Sequence, residues 1–158
     1  MRRNDAEYGS IEREIYVDAS PEIVYEVVSR PEHLREWWPD DAELDPVPGG
    51  TGLLRWGDHG GDPMVVPMTV VETDPPRRFT FRWSYPLDEA ARHDNSLLVT
   101  FELTPSGDGT TLRMTEVGFR EQGWEVAVLE ENFHDHVEGW NHFIPLLASY
   151  AATVVAAP

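Results

Sequence analysis

The residue best suited to take part in chemistry is Glu116, because the strand pattern predicts that its side chain points inward. Leu112 and Met114 are apolar positions of a strand, and Glu116 continues their spacing of two. A carboxylate in an apolar interior is costly unless it is paired or neutralised. Glu116 could orient the polar end of a ligand, or act as a general acid or base. Two alternatives stay open: a bulge near Gly118 turns the side chain outward, or an arginine satisfies it.

Histidines on the last predicted helix form the second group with chemical potential. His134, Glu138 and His142 follow one another at intervals of four and share one stripe, with His136 nearby. The first and third lie about 12 Å apart at the helical rise, too far for a single ion without an outside ligand. We therefore expect a solvated stripe, and we predict neither a metal site nor a cofactor.

Motifs for covalent or phosphate chemistry are missing. The chain has no cysteine, which excludes thiolate nucleophiles and thiolate zinc sites. The glycines of residues 48–52 and 60–61 are not followed by the lysine and helix of a phosphate-binding loop. Ser84, Ser96 and Ser149 stand in no pattern that marks a catalytic triad. Nothing in the motifs predicts an enzyme.

Aromatic and other large side chains are predicted to converge between a sheet and the final helix. Large rings rarely fill such a gap completely, and an apolar cavity with a few polar groups is the usual form of a small-molecule site. The alternative is that the same residues fill a dry core. The predicted ligand-binding residues are Trp38, Trp56, Met68, Phe81, Trp83, Phe101, Met114, Glu116, Trp140 and Phe143.

The elements that must position these residues begin with a strand and two short helices. Residues 11–17 alternate as a half-buried strand. Ser20 followed by Pro21 is a typical helix start, with the serine as N-cap and the proline in the first turn. Pro31 disfavours helical geometry at Arg30, so the first helix ends there. A second helix begins at Pro31 and is expected to end near residues 37–39.

The rest of the chain predicts strands and then one long helix. Between residues 44 and 119, apolar alternation is interrupted by turn clusters, and the clearest hairpin is at residues 106–109. From Phe133 to Val155, apolar residues recur mainly at threes and fours, with Pro145 expected to bend the helix. The predicted fold class is α+β: a curved antiparallel sheet of about six or seven strands around a long C-terminal helix, with two short helices after the first strand.

Size and charge limit the organisation and the partners. We interpret residues 1–158 as a single domain, with residues 1–9 expected to be disordered. The formal net charge of −17 repels nucleic acid and anionic membrane surfaces, so neither is expected as a partner. No signal peptide or membrane-spanning stretch can be recognised, and a cytoplasmic protein without membrane insertion is expected.

Six short phrases, in this order along the chain, carry a family resemblance. They are residues 17–25 (VDASPEIVY), 37–38 (WW), 71–83 (VETDPPRRFTFRW), 109–112 (GTTL), 118–119 (GF) and 139–140 (GW). Together with the order of elements, they resemble the helix-grip fold of the START-like or SRPBCC superfamily. They are most similar to the polyketide cyclase-like branch named after the activator of the heat-shock protein 90 ATPase, and the similarity covers nearly all of residues 10–150.

The resemblance implies a fold and a cavity more directly than an activity. Members of the superfamily include carriers of hydrophobic ligands, aromatase or cyclase enzymes, and co-chaperones. Our first expectation is non-catalytic binding of a small apolar or aromatic molecule between the sheet and the final helix. One alternative is a protein-interaction module that acts on the heat-shock ATPase chaperone or another protein. The other is a cyclase, dehydratase or hydrolase that uses Glu116.

Overall fold

Alternating apolar residues fold into one antiparallel sheet, and the last apolar stripe folds into a helix that packs on it. The computed structural model describes residues 8–57 and 63–154. Its strands are β1 (Ser10–Val17), β2 (Asp41–Leu44), β3 (Thr51–Trp56), β4 (Met64–Asp74), β5 (Arg78–Trp83), β6 (Leu97–Ser106) and β7 (Gly109–Val117). Its helices are α1 (Pro21–Ser29), α2 (Pro31–Trp37), a 3₁₀ turn (Arg120–Gln122) and α3 (Val126–Ala151).

The seven strands pair in the order β1-β7-β6-β5-β4-β3-β2. All pairs are antiparallel, and a register shift between Val70 and Glu72 interrupts the β4–β5 ladder. Such a bulge increases the local bend and twist of a sheet. The β6–β7 hairpin turns through Gly107, whose φ of 61° is in the left-handed region that glycine adopts most easily. The predicted α+β helix-grip class, with its curved seven-stranded sheet and long final helix, is confirmed.

The two short helices begin and end where the sequence predicts. The Oγ of Ser20 accepts a hydrogen bond from the backbone N–H of Ile23 at 3.3 Å, and Pro21 is the first residue of α1. Arg30 has extended geometry with ψ of 134°, as expected for a residue before proline, so Pro31 begins α2 as a separate helix. The two helices connect β1 to the far edge of the sheet.

The core lies between α3 and the inward face of the sheet. Inward residues of α3 recur at helical spacing, namely Leu129, Phe133, Trp140, Ile144, Leu147 and Ala151. They meet sheet residues such as Phe101, whose ring lies edge-on to Trp140 with centroids 6.2 Å apart. Pro145 lies inside α3 on its exposed side. Because proline has no backbone N–H, the Asn141 carbonyl lacks its usual helical hydrogen bond at this point.

The structure describes the ends of the chain only in part. Residues 1–7, most of the segment expected to be disordered, and Val155, expected in the final helix, lie outside the described residues. Tyr8 packs edge-on against Phe133, with ring centroids 5.5 Å apart. Among the described helices, none combines the length and the apolar character that a membrane crossing requires.

Candidate functional site

A cavity of about 500 Å³ lies between the sheet and α3 and is partly open to solvent. Five aromatic side chains that the sequence predicts as ligand-binding line it: Trp38, Trp56, Trp83, Trp140 and Phe143. Met64, Val66 and Ser84 complete the sheet side. Ser84 follows β5 with a φ of 65°, unusual for a residue other than glycine. The walls are therefore mainly apolar, as in most small-molecule sites.

Trp38 lies at the centre of the aromatic wall because the end of α2 places it there. Its ring centroid is 4.9 Å from that of Trp83 and 5.4 Å from that of Trp140. On its other side it stacks on Trp37, with centroids 5.5 Å apart and an interplanar angle of 9°. Trp56 donates its indole N–H to the Trp38 carbonyl at 3.2 Å. These contacts hold the rings in place, so the wall is preformed.

Glu116 lies directly behind this wall and is completely buried. Trp83 donates its indole N–H to Oε2 at 2.7 Å, and Trp140 donates to Oε1 at 2.8 Å. Nδ1 of His136 lies 2.9 Å from Oε1 and 3.1 Å from Oε2. Three N–H groups therefore compensate the burial of the carboxylate. The inward direction predicted for Glu116 is correct, but two indoles and an imidazole satisfy it, and no arginine does so among the described residues.

The partners of Glu116 determine which nitrogen of His136 carries a proton. A carboxylate only accepts hydrogen bonds, so Nδ1 must be the donor. The opposite ring edge, with Nε2, is then left for the cavity that His136 lines. Burial disfavours the imidazolium, but the hydrogen bond and the charge of Glu116, with a further contribution from Asp135, outweigh burial and raise the pKa of His136. His136 is thus one of the polar groups that a bound molecule would meet, together with Ser84, Asn132 and Asp135.

The helix side of the cavity is one stripe of α3. Asn132, His136, Gly139 and Phe143 follow at intervals of four, three and four, so they stand on one face. A Cβ added at Gly139 would meet nothing within 4 Å. The missing side chain therefore enlarges the cavity at the middle of the helix.

The predicted site residues fall into three groups. Trp38, Trp56, Trp83, Trp140 and Phe143 line the cavity, and Glu116 lies behind it. The other four, Met68, Phe81, Phe101 and Met114, have no exposed surface and do not line the cavity. For these four the geometry matches the dry-core alternative. A ligand-binding role for the cavity-lining group stays a prediction.

Sequence reasoning missed His136 and Gly139. A signal was present for His136, which lies three residues after Phe133 and four before Trp140, two positions that the apolar spacing already placed inward. Gly139 is about 100° around the helix from Trp140, so the apolar spacing did not indicate it. The stripe of His134, Glu138 and His142 lies on a different face of the helix from the cavity. Those three side chains are exposed, and among the described residues no group of three His, Cys, Asp or Glu could hold a metal ion.

The fold and the site define the class of protein: a helix-grip domain with a tryptophan-lined cavity. The family model for Activator of Hsp90 ATPase homolog 1-like proteins matches residues 18–152, and the chain belongs to this family. The resemblance inferred from the six phrases is thereby confirmed. Among curated proteins, no match was found.

Solved structures show the same fold. Protein MLL2253 from Mesorhizobium loti is 24% identical, with a TM-score of 0.70, over 92% of this chain and 99% of that one. The Aha1 dimer from Colwellia psychrerythraea is 20% identical, with a TM-score of 0.68, over 91% and 96%. CalU16 from Micromonospora echinospora is 21% identical, with a TM-score of 0.62, over 91% and 76%. At these identities the similarity concerns the fold alone.

Proposed function

We propose that the cavity binds a small, largely apolar, ring-containing molecule and performs no chemistry on it. The observation that carries the proposal is the preformed wall of four tryptophans around about 500 Å³. That volume is within the range of about 300 to 1,000 Å³ typical of small-molecule sites. Indole faces provide a large, rigid contact area for a flat apolar ligand.

Gly139 supports this proposal independently. A glycine inside a helix costs about 1 kcal/mol relative to alanine. Close packing within the chain does not require it, because a Cβ would meet nothing within 4 Å. Its effect is to leave room beside the helix backbone, where a ring of the ligand can lie.

His136 supplies the polar contact of the proposed complex. Glu116 fixes the orientation of the imidazole through Nδ1, which leaves Nε2 for a hydrogen bond with the ligand. Glu116 itself has no exposed surface, so it acts as a positioning residue. The enzyme alternative would therefore need His136, and not Glu116, as the group that exchanges a proton with a substrate.

The co-chaperone alternative has a different support. Activation of the heat-shock ATPase is suggested by family membership, whereas the cavity is a property of residues in this chain. The cavity therefore carries the proposal, and mixing the protein with the chaperone and measuring its ATPase rate tests the alternative directly. An increase in that rate that survives blocking of the cavity would favour the interaction module.

A cavity-blocking variant tests the proposed function. Lipids, polyketide-like aromatics and steroids are screened by tryptophan fluorescence and calorimetry against the parent protein and Gly139→Leu. The added side chain enters the cavity, so we expect affinity to fall about tenfold or more while the protein stays folded. Ser149→Leu, an exposed change on the same helix, is the matched control. The proposal fails if no compound binds, or if both variants bind as well as the parent.

A further inference from the structure

The charges around the cavity have one predominant sign. Asp135 lines the cavity with an exposed carboxylate, and Glu116 lies directly behind the tryptophan wall. Among the described residues that line the cavity, His136 is the only basic side chain, and its charge depends on pH. The described lining residues include no arginine, and the whole chain has a formal net charge of −17. Field lines from these groups converge on a cavity with apolar walls.

Glu116 also changes the electronic character of the wall. Trp83 and Trp140 both donate their indole N–H to its carboxylate, at 2.7 Å and 2.8 Å. A donor bonded to an anion is polarised, and electron density shifts from the N–H into the ring. The faces of these indoles therefore become more attractive to a positive charge. Indole is already the aromatic side chain that binds cations most strongly.

We propose, resting on the function proposed above, that the ligand is an organic cation: an aromatic or apolar amine in its protonated form. Its ammonium group lies against the tryptophan faces and donates an N–H to Nε2 of neutral His136. Asp135, which also lines the cavity, adds a second attraction. An anionic ligand would meet the carboxylate of Asp135 and lie near the buried charge of Glu116, with no arginine among the described lining residues, which disfavours it.

Titration of His136 supports this choice of ligand. The charged and titratable groups that face the imidazole are Glu116 from β7 and Asp135 from α3, while Trp83 and Phe119 present uncharged rings. The negative field that raises the pKa of His136 is the field that attracts an ammonium group. The proton on His136 and the bound amine therefore compete. A lower pH weakens amine binding, and by linkage the amine lowers the pKa of His136.

Three naphthalene compounds of similar shape but different charge distinguish the contribution of the ligand's charge to affinity from that of its aromatic ring. They are 2-(1-naphthyl)ethylamine, the corresponding alcohol 2-(1-naphthyl)ethanol, and 1-naphthylacetate, each titrated calorimetrically into the parent protein. We expect the amine to bind about tenfold more tightly than the alcohol, and the acetate most weakly. On lowering the pH through the pKa of His136, the amine should lose affinity and the alcohol should not. In an NMR titration of the His136 ring against pH, adding the amine should move the titration midpoint of His136 to lower pH.

Charge variants complete the test. Asp135→Asn should weaken the amine several-fold and leave the alcohol unchanged, whereas Glu131→Gln, an exposed change on the same helix, should affect neither. Equal or tighter binding of the alcohol or the acetate overturns the cation proposal and leaves an apolar-ligand site intact. Absence of binding by all three probes also overturns it. The apolar-ligand proposal itself fails only through the Gly139→Leu comparison and its ligand panel.

Discussion

Replacing Glu116 by glutamine removes the charge that organises the site while keeping the size of the side chain. The carboxylate accepts from Trp83, Trp140 and His136. Glutamine has a single acceptor oxygen, and its NH₂ group must face at least one of these donors. One or two buried N–H groups then lose their acceptor. At about 1 to 3 kcal/mol for each unsatisfied group, we expect the free energy of unfolding to fall by about 2 to 4 kcal/mol.

The same variant should change the pH dependence of stability. Because the pKa of His136 is raised in the folded protein, protonation of His136 stabilises the fold. That contribution is fully present below the ordinary histidine value of 6.5 and is lost as pH rises through the folded-state pKa. In Glu116→Gln, His136 loses its charged partner, so this part of the pH dependence should disappear. The difference in stability between the parent and the variant should therefore be largest at low pH.

Urea denaturation at about pH 5.5, 7 and 8.5 brackets the ordinary histidine pKa and measures this difference. NMR titration of the His136 ring provides a second readout, and its midpoint should move down in the variant. Glu131→Gln is the control, since it removes one exposed carboxylate from the same chain. A loss below about 1 kcal/mol together with an unchanged His136 midpoint would refute the role assigned to Glu116.

Three further predictions concern stability. Gly139→Ala should raise the free energy of unfolding by about 0.5 to 1 kcal/mol in urea denaturation, because its methyl group meets nothing within 4 Å; a loss would mean that the space is needed for packing. Phe101→Ala should lower the free energy of unfolding by about 3 to 5 kcal/mol, because it empties a buried position of the core. The ligand affinity of the protein that stays folded should not change, since Phe101 does not line the cavity, and a selective loss of affinity would contradict this. Ser20→Ala should cost about 1 kcal/mol by thermal or urea unfolding because the N–H of Ile23 loses its cap, and an unchanged stability would argue against that bond.

Local rules account for most of the secondary structure. Ser20 and Pro21 start a helix because a side-chain oxygen and a fixed φ satisfy its first turn, and both effects act within a few residues. Strand alternation predicts the inward face of β7 because neighbouring side chains point to opposite sides of a sheet. The burial of Glu116 follows from the same rule.

Strand alternation predicts which side of the sheet a residue faces, but not whether that residue is enclosed by the core or lines the cavity. Phe81 and Trp83 share the inward side of β5, yet Phe81 is enclosed by the core whereas Trp83 lines the cavity. The difference arises from how the sheet curves around α3 and from where α2 ends. The end of α2 places Trp38 against Trp83, with ring centroids 4.9 Å apart, and the cavity lies beside these two rings. Those positions depend on packing between elements distant in sequence.

The amino-acid sequence by itself determined the helix-grip fold, the inward direction of Glu116 and the aromatic character of the interior. Only the tertiary structure decided what satisfies Glu116, because Trp83 lies 33 residues away, Trp140 lies 24 and His136 lies 20. It also decided that His136 and Gly139 line the cavity. Their orientation depends on the rotation of α3 about its own axis, which the packing of Trp140 against Phe101 and of Phe133 against Phe119 sets. No local propensity determines that rotation, because it minimises the exposed apolar area of the whole domain.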